Sequence, residues 1–211
     1  VFADAMERLA IKYKYTLEQI KEKLKKQYDG YHFSEELTDI YNPFSILNVF
    51  DSNRIADYWF STGTPTYLIR LLTHTQENLN ELTGKYYDPS QFIDYKADVE
   101  MPLPMIYQSG YLTIKDCDLD MGTFLLDFPN DEVKKGFVTL VANNYLQSEK
   151  DSGSWARDIV GALKTGDLEQ VRKLLTSFLA DIPYSMRRKE TERERERYFH
   201  YTFYLLMRMV S

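Results

Sequence analysis

Cysteine occurs once in this 211-residue chain, as Cys117. A lone thiol cannot close an internal disulfide, and such usage fits a reducing, cytoplasmic compartment. Histidine is scarce too: His32, His74 and His200 lie far apart in sequence. No Cys or His pair has zinc spacing, and there is no His-Glu-x-x-His pattern and no EF-hand loop, so no metal site is read. The sequence lacks a Gly-x-x-x-x-Gly-Lys-Ser/Thr loop to cradle phosphate and a Gly-x-Ser-x-Gly elbow to present a nucleophile. No window reaches the roughly 18 unbroken apolar residues of a membrane span. The chain opens on Val1 with no signal-peptide pattern, and reads as a cut into a longer protein.

What is present is enough for a packed core: 44% of residues are hydrophobic and 15% aromatic. Tyrosine is the compositional oddity, with 17 copies. Its ring is buried readily while its hydroxyl stays polar, which suits the boundary of a core. The formal net charge of -6 argues against nucleic-acid binding by bulk electrostatics, although a local basic face stays open.

Periodicity predicts a helix over residues 2–13, with Phe2, Met6, Leu9, Ala10 and Tyr13 on one face. Thr16 and Gln19 have the spacing of a capping box before a second helix striped by Leu17, Ile20, Leu24 and Tyr28. Lys21, Lys23, Lys25 and Lys26 fall mostly off that stripe and read as a solvated face. Gly30 ends the helix. Residues 31–33 and 38–41 are expected to pair as a short hairpin. Asn42 and Pro43 then form a strong helix start, because Asn caps and Pro loses nothing by lacking an N–H there. Phe44, Ile46, Leu47 and Phe50 follow, giving a helix to about Asp51. Thr64 and Pro65 repeat the device, and Tyr58, Trp59 and Phe60 form an aromatic patch expected to be buried.

Residues 85–100 are rich in loop, with a possible strand at 92–95. A short helix over 102–109 is stopped by Gly110. Residues 111–115 and 123–127 read as strands around a polar turn. The acids Asp116, Asp118, Asp120 and Asp127 lack the central Gly and bidentate Glu of a calcium loop and read as a solvated turn. Pro129 and Asn130 start a helix with Asp131 and Glu132 in its first turn, where the dipole favours acids. Residues 148–154 read as a loop. Helices follow near 155–165 and 168–180, the second capped by Asp167 with Gln170 three residues on. From 190 to 197 acid and base alternate, which neutralises the arginines. Arg187, Arg188 and Lys189 are the better, though small, nucleic-acid candidate. Tyr198, Phe199, Tyr201, Phe203, Tyr204, Leu205, Leu206, Met207, Met209 and Val210 then cover every side of a helix. Such a helix is expected to be covered by a further domain or by a second copy of the chain.

The fold class expected is mainly α with a small β-hairpin, an α+β arrangement. It divides into a helical lid-like lobe over 1–90, a winged-helix-like unit over 91–147, and a helical segment over 148–211. The helix–Gly110–strand–turn–strand–helix run resembles the end of a winged helix, whose hairpin would be the wing. Lys115 is its one cation against four acids, so the wing suits protein better than phosphate.

Four runs carry a family resemblance. They are Tyr28-Asp29-Gly30-Tyr31-His32-Phe33; Asp39-Ile40-Tyr41-Asn42-Pro43-Phe44-Ser45-Ile46-Leu47; Tyr58-Trp59-Phe60-Ser61-Thr62-Gly63-Thr64-Pro65; and Gln108-Ser109-Gly110-Tyr111-Leu112-Thr113-Ile114-Lys115. Together, in this order, they resemble a large bacterial family of AAA-ATPase-like proteins with a C-terminal PD-(D/E)XK nuclease-like domain. The resemblance implies a P-loop core that uses ATP and Mg²⁺, a helical and winged-helix-like middle, and a nuclease-like end. This chain is similar to the middle, with residues 198–210 as the first helix of the nuclease-like domain. The P-loop and the Asp…Glu-x-Lys metal set are both absent, so no catalytic residue carries over. The resemblance thus implies a non-catalytic fragment, without cofactor of its own, that couples the two missing domains. Tyr28, Asp29, Gly30, Tyr31, Phe33, Asn42, Pro43 and Gly110 read as structural, and His32 as a weak candidate nucleotide sensor. Alternatives are a nucleic-acid-binding winged helix and a dimerisation module.

Overall fold

Local signals decide most of the elements in a computed structural model that describes residues 2–62, 82–93, 102–146, 152–180 and 192–210. Helix α1 spans Ala3–Tyr13 and α2 spans Leu17–Tyr28. Thr16 and Gln19 close the capping box: Gln19 N–H donates to Thr16 Oγ1 at 3.2 Å, and Thr16 N–H donates to Gln19 Oε1 at 2.9 Å. Helix α3, Pro43–Ser52, starts with Pro at its first turn while Asn42 Oδ1 accepts from the N–H groups of Phe44 and Ser45. The chain forms a compact unit from Val1 to Gly136 and a second from Phe137 to Ser211. Sequence composition, by contrast, suggests divisions after residues 90 and 147.

In the first unit, Leu9, Ile20, Leu24, Tyr28 and Val49 make an apolar cluster, with Met6, Tyr13, Ile46, Phe50 and Ile55 packed around it. The α2 stripe packs as expected through Ile20, Leu24 and Tyr28, with Leu17 exposed at its start. On α3, Ser45 and Val49 are buried and Ile46 and Phe50 pack against the cluster, while Phe44 and Leu47 are exposed. A helical period fixes spacing, not which flank of the stripe meets the core.

Strands β1 (Lys85–Tyr87), β2 (Thr113–Asp118) and β3 (Thr123–Asp127) form an antiparallel sheet in the order β1-β3-β2. Helix α4, Leu103–Gln108, lies between β1 and β2 in the chain and is stopped at Gly110, which takes φ +79°. The first strand lies earlier than the expected 92–95: Phe92 instead follows a single 3-10 turn at Pro89–Gln91, and residues 94 and 95 lie outside the described residues. Phe92 is fully buried against the rings of Tyr107 and Phe124. The pairing of β2 with β3 slips between Ile114 and Asp116, so Lys115 is the extra residue of a bulge.

Helix α5 spans Asp131–Leu146, with Asn130 Oδ1 accepting from Val133 N–H at 3.1 Å. In the second unit, α6 (Ser152–Thr165) and α7 (Leu168–Ala180) pack through Trp155 and Phe178, whose ring centroids lie 4.9 Å apart. Asp167 Oδ1 accepts from Gln170 N–H, the expected cap. Helix α8, Glu192–Val210, packs on α6. Among the described residues no helix is long and apolar enough to cross a membrane.

The expected hairpin at 31–41 shrinks to one bridge, in which Tyr31 and Ile40 exchange both backbone hydrogen bonds at 3.2 and 3.1 Å. Longer pairing is lost because the next residue, His32, turns its N–H and C=O to the hydroxyl of Thr113. Gly30 makes this possible. It takes φ +91°, and a Cβ there would lie 2.6 Å from the Pro129 carbonyl oxygen. A Cβ on Gly110 would meet nothing nearer than 3.5 Å. Left-handed backbone alone costs an L-residue about 1–2 kcal/mol. Gly110→Ala should therefore lower unfolding free energy by about that amount, and Gly30→Ala by about 3 kcal/mol or more, because backbone must also move. Urea denaturation checks the ranking; equal losses would show that the Gly30 turn is not constrained by Pro129.

Candidate functional site

The distinctive hexapeptide at residues 28–33 fastens the first unit together. Tyr28 ends α2 fully buried, and its hydroxyl donates to the Ala56 carbonyl at 2.7 Å while accepting from Ala56 N–H. Burial pushes this phenol up from its ordinary range, as it does for Tyr31. The buried Asp29 carboxylate faces the hydroxyl of Tyr41, and its Oδ1 finds no hydrogen-bond partner among the described residues. Tyr31 donates its hydroxyl to the Gly110 carbonyl at 3.1 Å, and its ring stacks on that of Phe33, which is largely exposed. At Gly110 the chain passes beneath the Trp59 ring, which meets Tyr111 edge-on at 4.8 Å.

His32 is buried, and both of its ring nitrogens are engaged. Nδ1 lies 2.7 Å from the Ile114 carbonyl oxygen, which can only accept, so Nδ1 carries a proton. Nε2 lies 2.8 Å from Asp39 Oδ1, to which it donates when the ring holds its second proton. The other Asp39 oxygen meets Lys25 Nζ at 2.8 Å. Lys25 first, then His32, holds the Asp39 carboxyl below its ordinary value. A nucleotide could engage His32 only by displacing one of these internal partners.

Lys115, aimed by its bulge, donates to the carbonyls of Gly30 at 2.9 Å and Pro129 at 2.8 Å. Burial pushes its ammonium down from the ordinary lysine value. Three residues beyond Pro129, Glu132 is fully buried. Its Oε1 accepts from the N–H groups of Tyr58, at 2.5 Å, and Trp59, at 3.1 Å, and its Oε2 accepts from the Ser45 hydroxyl at 2.7 Å. Tyr58, Trp59 and Phe60 are half-buried rather than buried. Sequence reasoning missed Lys115 and Glu132 in these roles. Lys115 reads there as a poor phosphate contact and Glu132 as a helix-dipole acid. Lys115 closes one of the distinctive runs, which was the available signal for it, and nothing local marked Glu132; partners of the two lie 85 and 87 residues away.

The basic features are mostly neutralised. On α2, Lys21 pairs with Glu18, Lys25 with Asp39 and Lys26 with Asp131, while Lys23 sits over the Tyr15 ring. Arg187, Arg188 and Lys189 lie outside the described residues, as do His74, Thr64 and Pro65. His200 is exposed on α8. That helix buries Thr202, Leu205 and Leu206 and exposes Phe199 and Phe203, so within this chain it is covered on one side, not on every side. Among the described residues no group of three His, Cys, Asp or Glu side chains could hold a metal.

No family model matches the chain, and no solved structure matches it. The chain is similar to an uncharacterized protein in the vnfD 5' region of Azotobacter chroococcum mcd 1, with 27% identity over 186 residues. The match covers 87% of this chain and 36% of the relative, so the chain spans about a third of that protein's length.

Burial raises the Glu132 carboxyl above its ordinary 4.5, while the Ser45 and backbone donors oppose the shift. The folded chain thus holds this proton more tightly than the unfolded chain. As pH rises from about 4.5, the unfolded chain releases it first, and this group's contribution to stability falls until the folded value is passed. Glu132→Gln keeps a carbonyl for the two N–H groups and removes the ionisation. Its stability relative to wild type should therefore increase with pH across that window. Glu132→Ala strands the donors and should cost about 3–5 kcal/mol. Urea denaturation from pH 4 to 7 reads both; parallel pH profiles for wild type and the Gln variant would refute the assignment.

Proposed function

We propose that this chain is a non-catalytic coupling segment of a longer protein, set between a nucleotide-binding core and a nuclease-like effector domain. The observation that carries this reading is the use made of the most distinctive residues. His32, Lys115, Asn42, Ser45 and Glu132 spend their polar atoms on backbone and side chains of the same unit. A substrate site needs donors and acceptors that are free to change partners. A joint needs them committed, so that a push at one element moves the rest as one body. The resemblance to AAA-ATPase-like proteins supplies the neighbouring domains. The relative's greater length leaves room for them. A fluorescence titration of the chain with ATP and Mg²⁺ should show no saturable change up to micromolar concentrations. Stoichiometric binding would overturn the reading.

A second reading, a nucleic-acid-binding winged helix, draws support from the order α4-β2-β3-α5 along the chain and the antiparallel β1-β3-β2 sheet. Charge weighs against it, since Lys115 points to internal carbonyls and most α2 lysines are paired. A gel shift at low salt with duplex DNA should show no complex. A shift abolished when Arg187, Arg188 and Lys189 are all replaced by Ala would favour this second reading instead.

A further inference from the structure

We propose that the tip of the β2–β3 hairpin is a docking point for a protein partner that presents an apolar face flanked by basic side chains. The tip reads Asp118-Leu119-Asp120-Met121-Gly122. Leu119 is 75% exposed and Met121 is 74% exposed. Two long apolar side chains stand in water where the fold does not require them. The turn is already closed by other groups: Asp118 Oδ1 accepts from the N–H groups of Asp120 and Met121, and Gly122 takes φ +64°. Small polar residues would serve such a turn equally well. Apolar side chains exposed side by side mark contact surfaces more than ones scattered singly do.

Charge selects the partner. Asp116, Asp118 and Asp120 flank the apolar pair, and Glu35 adds its field beside Cys117. The hairpin's one cation, Lys115, is held away by the Gly30 and Pro129 carbonyls. An acidic tip repels phosphate, which disfavours nucleic acid and anionic membrane, and it attracts a basic rim. Two side chains bury far less than the roughly 1,200 Å² of a standard interface, so the contact is weak and exchanges readily. The proposal stands whether or not the segment couples a nucleotide-binding core.

The test uses a fluorescein-labelled amphipathic helical peptide of Leu and Lys as the probe, read by anisotropy. Wild type should bind it saturably and more weakly as salt rises. Leu119→Ser with Met121→Ser should weaken binding about ten-fold or more. Asp120→Lys, which leaves the apolar pair and the Asp118 turn bonds in place, should weaken it as well. Circular dichroism and melting temperature should be unchanged in both, since the replaced side chains are exposed. No binding, unaltered affinity in the variants, or equal binding of a scrambled peptide of the same composition would overturn the proposal. So would a tip that instead binds duplex DNA or phosphatidylserine vesicles.

Discussion

The buried carboxylate of Glu132 is the constraint on which the first unit depends. It sits in the first turn of α5 and collects a hydroxyl from α3 and two backbone N–H groups from the segment before residue 60. A buried carboxylate without donors would cost several kcal/mol, so those three elements must arrive together. Lys115 imposes the matching demand with opposite charge, because its ammonium needs both the Gly30 and the Pro129 carbonyls. An apolar seam between the same elements could slide by a residue at small cost. A seam with fixed donors and acceptors cannot, since a slip would strand several at once. Gly30 fits the same logic: the approach of Pro129 that serves Lys115 leaves no space for a side chain.

The parts of the fold that the residues announce are those governed by neighbours in sequence. Thr16 with Gln19, Asn42 with Pro43 and Asp167 with Gln170 cap their helices as local rules require. The strand at Thr123–Asp127 and the stop at Gly110 follow from equally local preferences. What stays hidden is set by distant partners. Glu132 in a first turn is well explained by the helix dipole alone, and nothing nearby betrays its bond to Ser45. His32 looks like a strand residue until Thr113 and Ile114 take its backbone and ring. The burial of Ser45 on α3 has the same origin, since its partner Glu132 lies far along the chain, and Phe44 and Leu47 on that helix are exposed.

The same partners bear on what these groups are free to do. Chemistry at pH 7 requires groups that can change proton or partner during a cycle. In the hexapeptide and its contacts the side chains with that capacity are His32, Lys115, Asp39 and Glu132, and each is engaged by neighbouring groups of the first unit. Among the described residues, Asp29 Oδ1 and Asn130 Nδ2 are buried without a hydrogen-bond partner, although the Asp29 carboxylate meets the Tyr41 hydroxyl. Asp29 lies one residue before the Gly30 turn and Asn130 one residue after Pro129, so both orphaned atoms border the close approach of those two residues. A buried polar atom without a partner carries its full desolvation cost, which the bonds of Lys115 and Glu132 nearby must offset for this seam to close.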